Sequence, residues 1–351
     1  MNGVLILDKP AGLTSHDVVN RVRRILQQRS VGHLGTLDPM ATGVLPLVTG
    51  SLTRIAQFYT ASEKCYEGTV RFGFSTDTYD AEGEPTSAPR EVTLSADEVE
   101  SLAARFRGVI EQTPPPFSAK KIQGVPAYKL ARKQKEVILK PVQVEIKEFT
   151  ILSVEADRAR FSARVASGTY MRSVAHEMGQ ALACGAHLES LRRTAVAEFT
   201  LEDAHTLEQL AAAAGKSGVA RASLTQSSAA VAGLAQSGVA RALSPTSPVG
   251  TKENSPHTND ARPEGTPESS PSTPETFDAF FIHPRKLLPQ LPSVTADEPT
   301  AARIRSGRTV NLPELSRARQ VKVFAGQRDL IAIATRIAGT LFHPKIVFAT
   351  D

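Results

Sequence analysis

A glycine- and proline-rich stretch with a single charged side chain constrains this chain more than any other feature of its sequence. Between Val31 and Gly50 lie four glycines, two prolines and one acid, Asp38, so no neighbour in sequence can neutralise its carboxylate. Burying an unpaired carboxylate costs several kcal/mol. Pro39 disfavours helical backbone at Asp38 and holds it extended. The alternative to an ordinary Asp-Pro turn is that Asp38 pairs, in a cleft, with a cation from a distant segment.

A second motif, residues 168–173, contains a candidate partner for this carboxylate. It reads Gly-Thr-Tyr-Met-Arg-Ser and follows a run in which apolar and polar residues alternate. If Thr169 caps a helix here, Tyr170 and Arg172 lie in its first turn, and a helix N-terminus favours anions. An arginine can hold a carboxylate through two parallel hydrogen bonds. The residues alone leave a second interpretation open, in which Arg172 is a solvated arginine and Tyr170 a packing residue.

Hydrophobic patterning in the N-terminal part predicts mixed α and β structure. Residues 4–7 form an apolar run typical of a buried strand, and Ser15 is a candidate N-cap for an amphipathic helix. Residues 64–74 and 160–165 alternate between apolar and polar side chains, as strands with one buried face do. Residues 95–98 match a capping box and predict a second helix. We therefore expect an α+β domain.

Composition changes after residue 210 and divides the chain into three parts. Residues 1–210 form the expected main domain. Residues 211–276 are rich in Ala, Ser, Thr, Pro and Gly without a sustained apolar period, which is typical of a disordered linker or insertion. Strand-like apolar runs return in residues 277–351, and several short strands in about 75 residues predict a small β-barrel-like module. These runs are residues 321–324, 330–334 and 346–348.

Positive charge is concentrated in two places. The formal net charge is +5, and the whole excess lies in residues 277–351. A second concentration lies between Phe117 and Lys140, where Glu136 opposes seven cations and Tyr128 is interleaved. Such a surface suits a phosphate backbone, and a solvated surface loop is the alternative. The seven cations are Lys120, Lys121, Lys129, Arg132, Lys133, Lys135 and Lys140.

Several classes of protein are disfavoured by motifs that the sequence lacks. Cys65 and Cys184 provide neither a disulfide framework nor metal-ligand spacing, and we expect both to be reduced. The chain contains no Walker loop and no dinucleotide fingerprint. It has no run of about 18 apolar residues and no basic leader. We therefore expect a cytoplasmic protein without a membrane segment, metal or cofactor.

Residues 32–46 resemble the signature of the TruB family of tRNA pseudouridine synthases, which share the pattern G-H-x-G-x-L-D-P-x-A-T-G-x-L-P. The form Gly-Thr-Tyr-x-Arg at residues 168–172 is also similar to a motif of this family. The resemblance implies that Asp38 is the catalytic aspartate and that Arg172 pairs with it. It also implies that Tyr170 contacts the substrate. It covers residues 3–210 strongly and residues 277–351 more weakly.

Further positions match the family in order along the chain. The resemblance implies that Tyr66 stacks on the target base and is a candidate for taking the C5 proton, although Tyr66 alone would be interpreted as a core aromatic. It implies that His33 helps displace the target nucleotide, that Asp80 is a polar contact near the RNA, and that Leu191 lines the uracil pocket. The basic region corresponds to an element that grips the RNA stem-loop, through Lys120, Lys121, Lys129 and Arg132.

The activity implied by the resemblance is isomerisation of the T-loop uridine, position 55 of tRNA, to pseudouridine. The base would be flipped into the site, its glycosidic bond broken and the bond remade through C5, with no cofactor. Asp38 would attack C1′ or C6, or abstract a C2′ proton, and the sequence does not choose among these. A single acid in the loop disfavours glycoside hydrolysis, which ordinarily needs two carboxylates.

The same resemblance implies a mixed, mainly antiparallel sheet in a catalytic domain of residues 1–210, followed by a PUA-like RNA-binding module in residues 277–351. Two other functions remain open: a non-catalytic tRNA-binding chaperone, and a guide-dependent pseudouridine synthase subunit of a ribonucleoprotein. Because the first motif begins at Gly3 without an N-terminal extension, we favour a stand-alone enzyme that acts on the tRNA T-arm without an obligate protein partner. The resemblance also implies a monomer.

Overall fold

The computed structural model describes residues 1–118, 120–122, 124–131, 133, 139–216, 277–314 and 316–349. Its strands are β1 (Gly3–Lys9), β2 (Val31–His33), β3 (Thr42–Thr49), β4 (Lys64–Phe72), β5 (Gly108–Gln112), β6 (Lys121–Ile122), β7 (Val125–Pro126), β8 (Val142–Glu155), β9 (Arg158–Val165), β10 (Ala186–Val196), β11 (Phe199–Thr200), β12 (Ala204–His205), β13 (Ser293–Ala296), β14 (Val310–Asn311), β15 (Gln320–Ala325), β16 (Asp329–Ala338) and β17 (Leu341–Val347). Its α-helices are α1 (Ser15–Ile25), α2 (Ala56–Tyr59), α3 (Ala96–Ala104), α4 (Ala127–Ala131), α5 (Met171–Ala181), α6 (Leu207–Lys216) and α7 (Glu298–Arg305).

A ten-stranded sheet forms the centre of the N-terminal part. Its main path has the order β12-β1-β3-β10-β4-β9-β8-β5, with β11 paired to β10 and β2 to β3. The strand β4 is antiparallel to both of its neighbours, β10 and β9. Among the strands that the structure describes in this sheet, the pairs β1–β12 and β10–β3 are parallel and the others antiparallel. The predictions of an α+β domain and of a mainly antiparallel sheet are confirmed.

Strand β1 is apolar from Val4 to Leu7 because both of its faces are buried there. Leu5 and Leu7 pack into the core that α1, α3 and α5 share with the sheet. Val4 and Ile6 point to the other side and pack into a second core that includes Phe324 of the C-terminal part. A strand covered on both faces reads as a continuous apolar run. The predicted buried strand is therefore confirmed, and it extends over Gly3–Lys9.

Helix α1 begins one residue earlier than its predicted cap implied. Thr14 is the N-cap: its hydroxyl accepts from Asp17 N, and the Asp17 carboxylate accepts from Thr14 N. Ser15, the predicted cap, is buried inside the helix, where its hydroxyl exchanges hydrogen bonds with the backbone of Leu37. Either hydroxyl could cap by its chemistry. The sequence analysis predicted the wrong cap because the hydrogen-bond partner of Ser15, Leu37, lies in the distant Asp38 loop.

The alternating strands bury the predicted faces. In β4, Tyr66, Val70 and Phe72 are buried, and the same holds for the apolar face of β9, which runs antiparallel beside it. The strand ends at Phe72, whereas the predicted alternation continued to Phe74. Gly73 has a φ of +105°, a conformation that turns the chain out of an extended strand.

Helix α6 corrects the boundary of the predicted low-complexity segment. The helix continues to Lys216, so residues 211–216 belong to it. An alanine-rich run is a good helix former, and Leu210 and Ala214 are buried on its inner face. Residues 217–276 lie outside the described part of the chain, and the expectation of a disordered linker or insertion there stays a prediction.

The C-terminal part contains a curled five-stranded sheet that forms a half-barrel, with the order β13-β15-β16-β17-β14. Two of the three predicted strand runs fall within β15 and β16. The third was predicted too late, because β17 starts at Leu341 and contains Pro344. The ladder between β16 and β17 is irregular next to this proline, as expected for a residue without an N–H. No helix in the described ranges is long and apolar enough to span a membrane.

Candidate active site

Asp38 and Arg172 form an ion pair although 134 positions separate them in sequence. Arg172 Nε donates a 2.9 Å hydrogen bond to Asp38 Oδ2. The two parallel hydrogen bonds that we expected do not form, because Nη1 donates to Thr78 O and Nη2 to Phe117 O, each at 3.0 Å. The Arg172 side chain is 4% exposed and that of Asp38 is 34% exposed. The predicted pairing with a distant cation is confirmed, and the carboxylate faces the solvent-accessible side.

Asp80 is a second acidic neighbour of Arg172. Its carboxylate is buried and lies 3.5 Å from Arg172 Nη1. It also accepts hydrogen bonds from the Thr78 hydroxyl and from Glu82 N. Arg172 thus has two acidic neighbours, of which one is buried. The structure thus shows Asp80 as a partner of Arg172, and its predicted contact near the RNA stays a prediction.

Two side chains from the N-terminal segment hold the loop that carries Asp38. Ser15 is bonded to both backbone groups of Leu37, the residue before Asp38. Lys9 Nζ donates to Pro39 O, the residue after Asp38, and to Leu13 O. Burial lowers the pKa of Lys9 to about 8. Asp38 is therefore fixed from both sides by groups that the sequence analysis did not identify.

Arg193 holds the same loop from the opposite direction. Its fully buried guanidinium donates to three backbone carbonyls, those of Gly35, Thr36 and Val44, at 2.8–3.1 Å. Gly43 has a φ of +100°, and a Cβ there would lie 2.2 Å from Arg193 O, so only glycine allows β3 to approach β10. Sequence reasoning missed Arg193 because its acceptors lie 149 to 158 positions away. The sequence gives one signal for it: Leu191 and Ala195, two positions away on either side of Arg193, are apolar.

The start of α5 differs from the prediction by one residue. Tyr170, not Thr169, is the N-cap, and the Thr169 hydroxyl instead donates to Ala166 O. No side chain of the helix itself caps it. The buried amide of Gln112 holds the turn, since its Nε2 donates to Tyr170 O at 3.1 Å and its Oε1 accepts from Tyr170 N at 2.8 Å. Gln112 is the last residue of β5, and the sequence analysis did not identify it as a contact of residues 168–173.

These elements enclose a cavity of about 410 Å³ beside the ion pair. Asp38 is the single carboxylate among its described lining residues. Five predicted site residues line it, together with the unpredicted Lys64, Ser118 and Arg193. The five are His33, Asp38, Tyr66, Tyr170 and Arg172.

Other predicted site residues lie elsewhere. Leu191 does not line this cavity but a second one of about 280 Å³, together with Met40 and Gly68. Lys120 and Lys129 are exposed and lie outside the lining of both cavities. The side chain of Lys121 and the whole of Arg132 fall outside the described part of the chain. The predicted RNA contacts of these residues stay predictions.

Burial sets the protonation of two aromatic rings in the cavity. It raises the pKa of Tyr66, while the adjacent Arg193 guanidinium opposes this effect. Burial, helped by Arg193, lowers the pKa of His33. At neutral pH the Tyr66 phenol is therefore protonated and the His33 ring is neutral. The His33 Nδ1 accepts a hydrogen bond from Gly35 N.

Both cysteines, Cys65 and Cys184, are free thiols and half-buried. Burial raises the pKa of the Cys65 thiol. Among the residues that the structure describes, no group of three or more His, Cys, Asp or Glu side chains is placed to hold a metal ion.

Comparisons with known proteins agree on one family. A family model for the N-terminal domain of TruB family pseudouridylate synthases matches residues 23–171, and one for the C-terminal domain of tRNA pseudouridylate synthase B matches residues 172–226. The chain is similar to tRNA pseudouridine synthase B of Solibacter usitatus, with 45% identity over 350 residues that cover 99% of this chain and all of the relative. It is 46% identical to tRNA pseudouridine synthase B of Aquifex aeolicus over 211 residues, 60% of this chain and 73% of that protein.

Solved structures share the fold at lower sequence identity. A Cbf5-Nop10-Gar1 complex contains a chain that is 23% identical with a TM-score of 0.61, covering 99% of this chain and 85% of that chain. An H/ACA RNP bound to a substrate RNA contains one that is 21% identical with a TM-score of 0.60 and the same coverage. At this level of identity the likeness concerns the fold alone.

Proposed function

Because this chain belongs to the TruB family of pseudouridine synthases, we propose that it isomerises the T-loop uridine at position 55 of tRNA to pseudouridine. The enzyme acts on uridine in tRNA, as the names of its relatives indicate. In the reaction the bond from ribose C1′ to base N1 breaks and a bond from C1′ to C5 forms. The C5 proton is lost and N1 gains a proton, so that substrate and product are isomers.

The observation that carries this proposal is the Asp38–Arg172 pair on the wall of a cavity whose described lining residues include no second carboxylate. One anion held at a fixed position suits a reaction in which it adds to the substrate or removes one proton, and does not suit two-carboxylate hydrolysis. Asp38 would attack C1′ or C6, or take the C2′ proton. Arg172 orients it with a charge-assisted hydrogen bond.

Tyr66 is placed to act on the base. Its ring lines the cavity and its hydroxyl lies against the Arg193 guanidinium. We assign to it the stacking of the flipped uracil, and its oxygen is the candidate acceptor for the C5 proton. Arg193 favours the phenolate form, whereas burial raises the Tyr66 pKa overall, so this second role requires the phenol to lose its own proton first.

The target uridine must leave its stack to reach Asp38, at a cost of a few kcal/mol. We assign the compensating contacts to His33 and Tyr170 in the cavity, to Leu191 beside it, and to the basic region, which grips the T-arm stem-loop. The protein would act as a monomer in the cytoplasm, where tRNA is found, without an obligate protein partner. The basic side chains concerned are Lys120, Lys121, Lys129 and Arg132.

Of the alternatives, a guide-dependent subunit has less support, because the Cbf5 likeness is 21–23% in identity and the full-length likeness to a tRNA enzyme is 45%. A tRNA chaperone activity could coexist with catalysis, since it needs the same basic surface. It would persist in a variant that lacks the Asp38 carboxylate.

The proposal is tested with purified protein and unmodified tRNA transcript, without guide RNA or cofactor, by mapping pseudouridine at single-nucleotide resolution. We expect pseudouridine at position 55 with the wild type and none with Asp38→Asn. A T-arm stem-loop should be modified nearly as well as whole tRNA. Modification of some other RNA by a protein that is inactive on the T-arm would refute the assignment.

A further inference from the structure

The cavity wall contains a buried cation that the proposed mechanism does not use, Lys64. Its side chain is 9% exposed. Its Nζ donates one hydrogen bond, of 2.6 Å, to Ser62 O. An ammonium group has three N–H donors, so donors remain that can turn toward the cavity that Lys64 lines.

The charges around the cavity do not balance. Arg172 has two acidic neighbours, Asp38 and Asp80. The guanidinium of Arg193 is bonded to neutral backbone carbonyls. Within the described ranges, no carboxylate forms an ion pair with Lys64 or Arg193, and the two cations lie close enough to repel each other. Burial and this repulsion lower the pKa of Lys64 to about 8.

A buried cation without a counter-charge is costly to the folded protein. The cost is offset when an anion enters the cavity. In an RNA substrate the uracil and the ribose are neutral, and the phosphodiester groups carry the negative charge. Given the RNA substrate proposed above, a phosphodiester group is the anion available to offset the charge of Lys64.

We propose that Lys64, in the field of Arg193, forms a subsite for a phosphodiester group that flanks the flipped uridine. The local backbone leaves room for it. Gly35 lies over the two cations, and a Cβ built there would be 3.6 Å from Arg193 Nη1 and 3.8 Å from Lys64 Cε. The absence of a side chain at Gly35 keeps this corner of the cavity open to a ligand.

The subsite is tested by the salt dependence of T-arm stem-loop binding in the Asp38→Asn background, which keeps the RNA unmodified. Lys64→Met should weaken binding about 10- to 100-fold at low salt and should reduce the slope of log affinity against log salt by about 1. Lys64→Arg, which keeps the positive charge, should retain the affinity and the salt slope.

Lys322→Met is the matched control. Lys322 is also buried, in the C-terminal half-barrel, and its Nζ donates to the carbonyls of Arg285 and Leu287. It lines no part of the cavity. The control variant should lose stability and keep the salt slope of the parent protein.

A neutral methylphosphonate at each phosphate next to the target uridine locates the contact. At one position it should weaken binding to the parent protein and leave binding to Lys64→Met unchanged. The proposal is overturned if Lys64→Met keeps the parent affinity and slope, or if no methylphosphonate removes the difference between the two proteins. Absence of pseudouridine with the wild type would contradict the proposed reaction instead, and the binding cycle would still report on the subsite.

Discussion

Arg172 uses each of its three nitrogens on a different segment of the chain. Nε binds Asp38, Nη1 the carbonyl of Thr78 and Nη2 the carbonyl of Phe117. An ammonium group cannot reach three acceptors in these directions, because the guanidinium fork has fixed geometry. Arginine is therefore required here for the position of the carboxylate and not only for its charge.

Replacing Arg172 by lysine should consequently impair catalysis more than folding. We expect Arg172→Lys to lower kcat on a T-arm stem-loop by about 100-fold or more, since a small misplacement of a reacting group has effects of this size. Single-turnover kinetics at saturating RNA measure it. Arg192→Lys is the control, because Arg192 makes a bidentate pair with Asp8 outside the cavity, and kcat should hardly change. Equal losses in both variants would contradict the assigned role of Arg172.

The buried charge of Lys64 predicts an effect of pH on stability. The folded-state pKa of Lys64 is lowered from 10.5 to about 8, so the unfolded chain binds more protons between these values. Stability therefore rises with pH across this interval, and the full penalty is present below pH 8. Lys64→Met should melt a few °C above the wild type at pH 7, with the difference shrinking toward pH 10. Thermal melts across this range measure it, and a lower melting temperature at pH 7 would be the contrary result.

At the scale of elements, the N-terminus of α5 depends on β5. The Gln112 amide satisfies both backbone groups of Tyr170, and the helix supplies no capping side chain of its own. Loss of these two hydrogen bonds would displace the turn that carries both Tyr170 and Arg172. A side chain of β5 thus holds the turn at the start of α5, although the two elements are distant in sequence.

Gln112→Met should therefore reduce both stability and activity. Tyr170 N loses its acceptor, whereas Tyr170 O still accepts from Val174 N. One unpaired N–H in this half-buried turn costs about 1–3 kcal/mol in the free energy of unfolding, and kcat should fall because the Arg172 turn is displaced. Denaturant unfolding and single-turnover kinetics measure the two effects. Gln209→Met provides the comparison, since the Gln209 amide caps α6 on the protein surface, where stability should fall slightly and kcat should stay the same. Full activity of Gln112→Met would show that the turn holds without the clamp.

Local patterns predicted the elements, and long-range partners decided most of the details that were wrong. The alternation of apolar and polar residues predicted the buried faces of β4 and β9. The isolated acid Asp38 predicted a pairing with a distant cation, which is Arg172. The cap at Thr14 could not be predicted, because the competing Ser15 hydroxyl donates to Leu37 O, 22 positions away. At α5 the competing contact is local, since the Thr169 hydroxyl donates to Ala166 O three positions earlier. Gln112 and Arg193 were missed for the reason that applies to Ser15. Their acceptors are backbone atoms of remote segments, and no spacing rule records them.

At the scale of the whole molecule, the C-terminal half-barrel and the ten-stranded sheet share one hydrophobic core. Val4 and Ile6 of β1 pack in the same cluster as Leu288, Phe324 and other C-terminal residues. A backbone hydrogen bond of 2.7 Å joins Ile282 N to Val4 O. The described parts on either side of residues 217–276 are therefore expected to unfold together.

A buried polar contact at this shared core makes the expectation testable. The Tyr59 hydroxyl and the Glu198 carboxylate are 2.5 Å apart, and Leu288 N donates to Glu198 Oε1 at 2.9 Å. Burial raises the pKa of Tyr59, so its phenol is a donor at every pH at which the protein is handled. Tyr59→Phe removes that donor and leaves the carboxylate with one partner fewer.

We expect Tyr59→Phe to lower the free energy of unfolding by about 1–3 kcal/mol. It should lower the melting temperature of the ten-stranded sheet and of the half-barrel together. Calorimetry should show one transition that moves as a unit, because the core joins both parts. Tyr79→Phe is the comparison, since Tyr79 stacks on His176 of α5 at 3.7 Å, away from the shared core, and its smaller effect isolates the contribution of the Glu198 contact. Two transitions, of which only one moves in Tyr59→Phe, would mean that the half-barrel folds independently of the sheet that holds Asp38.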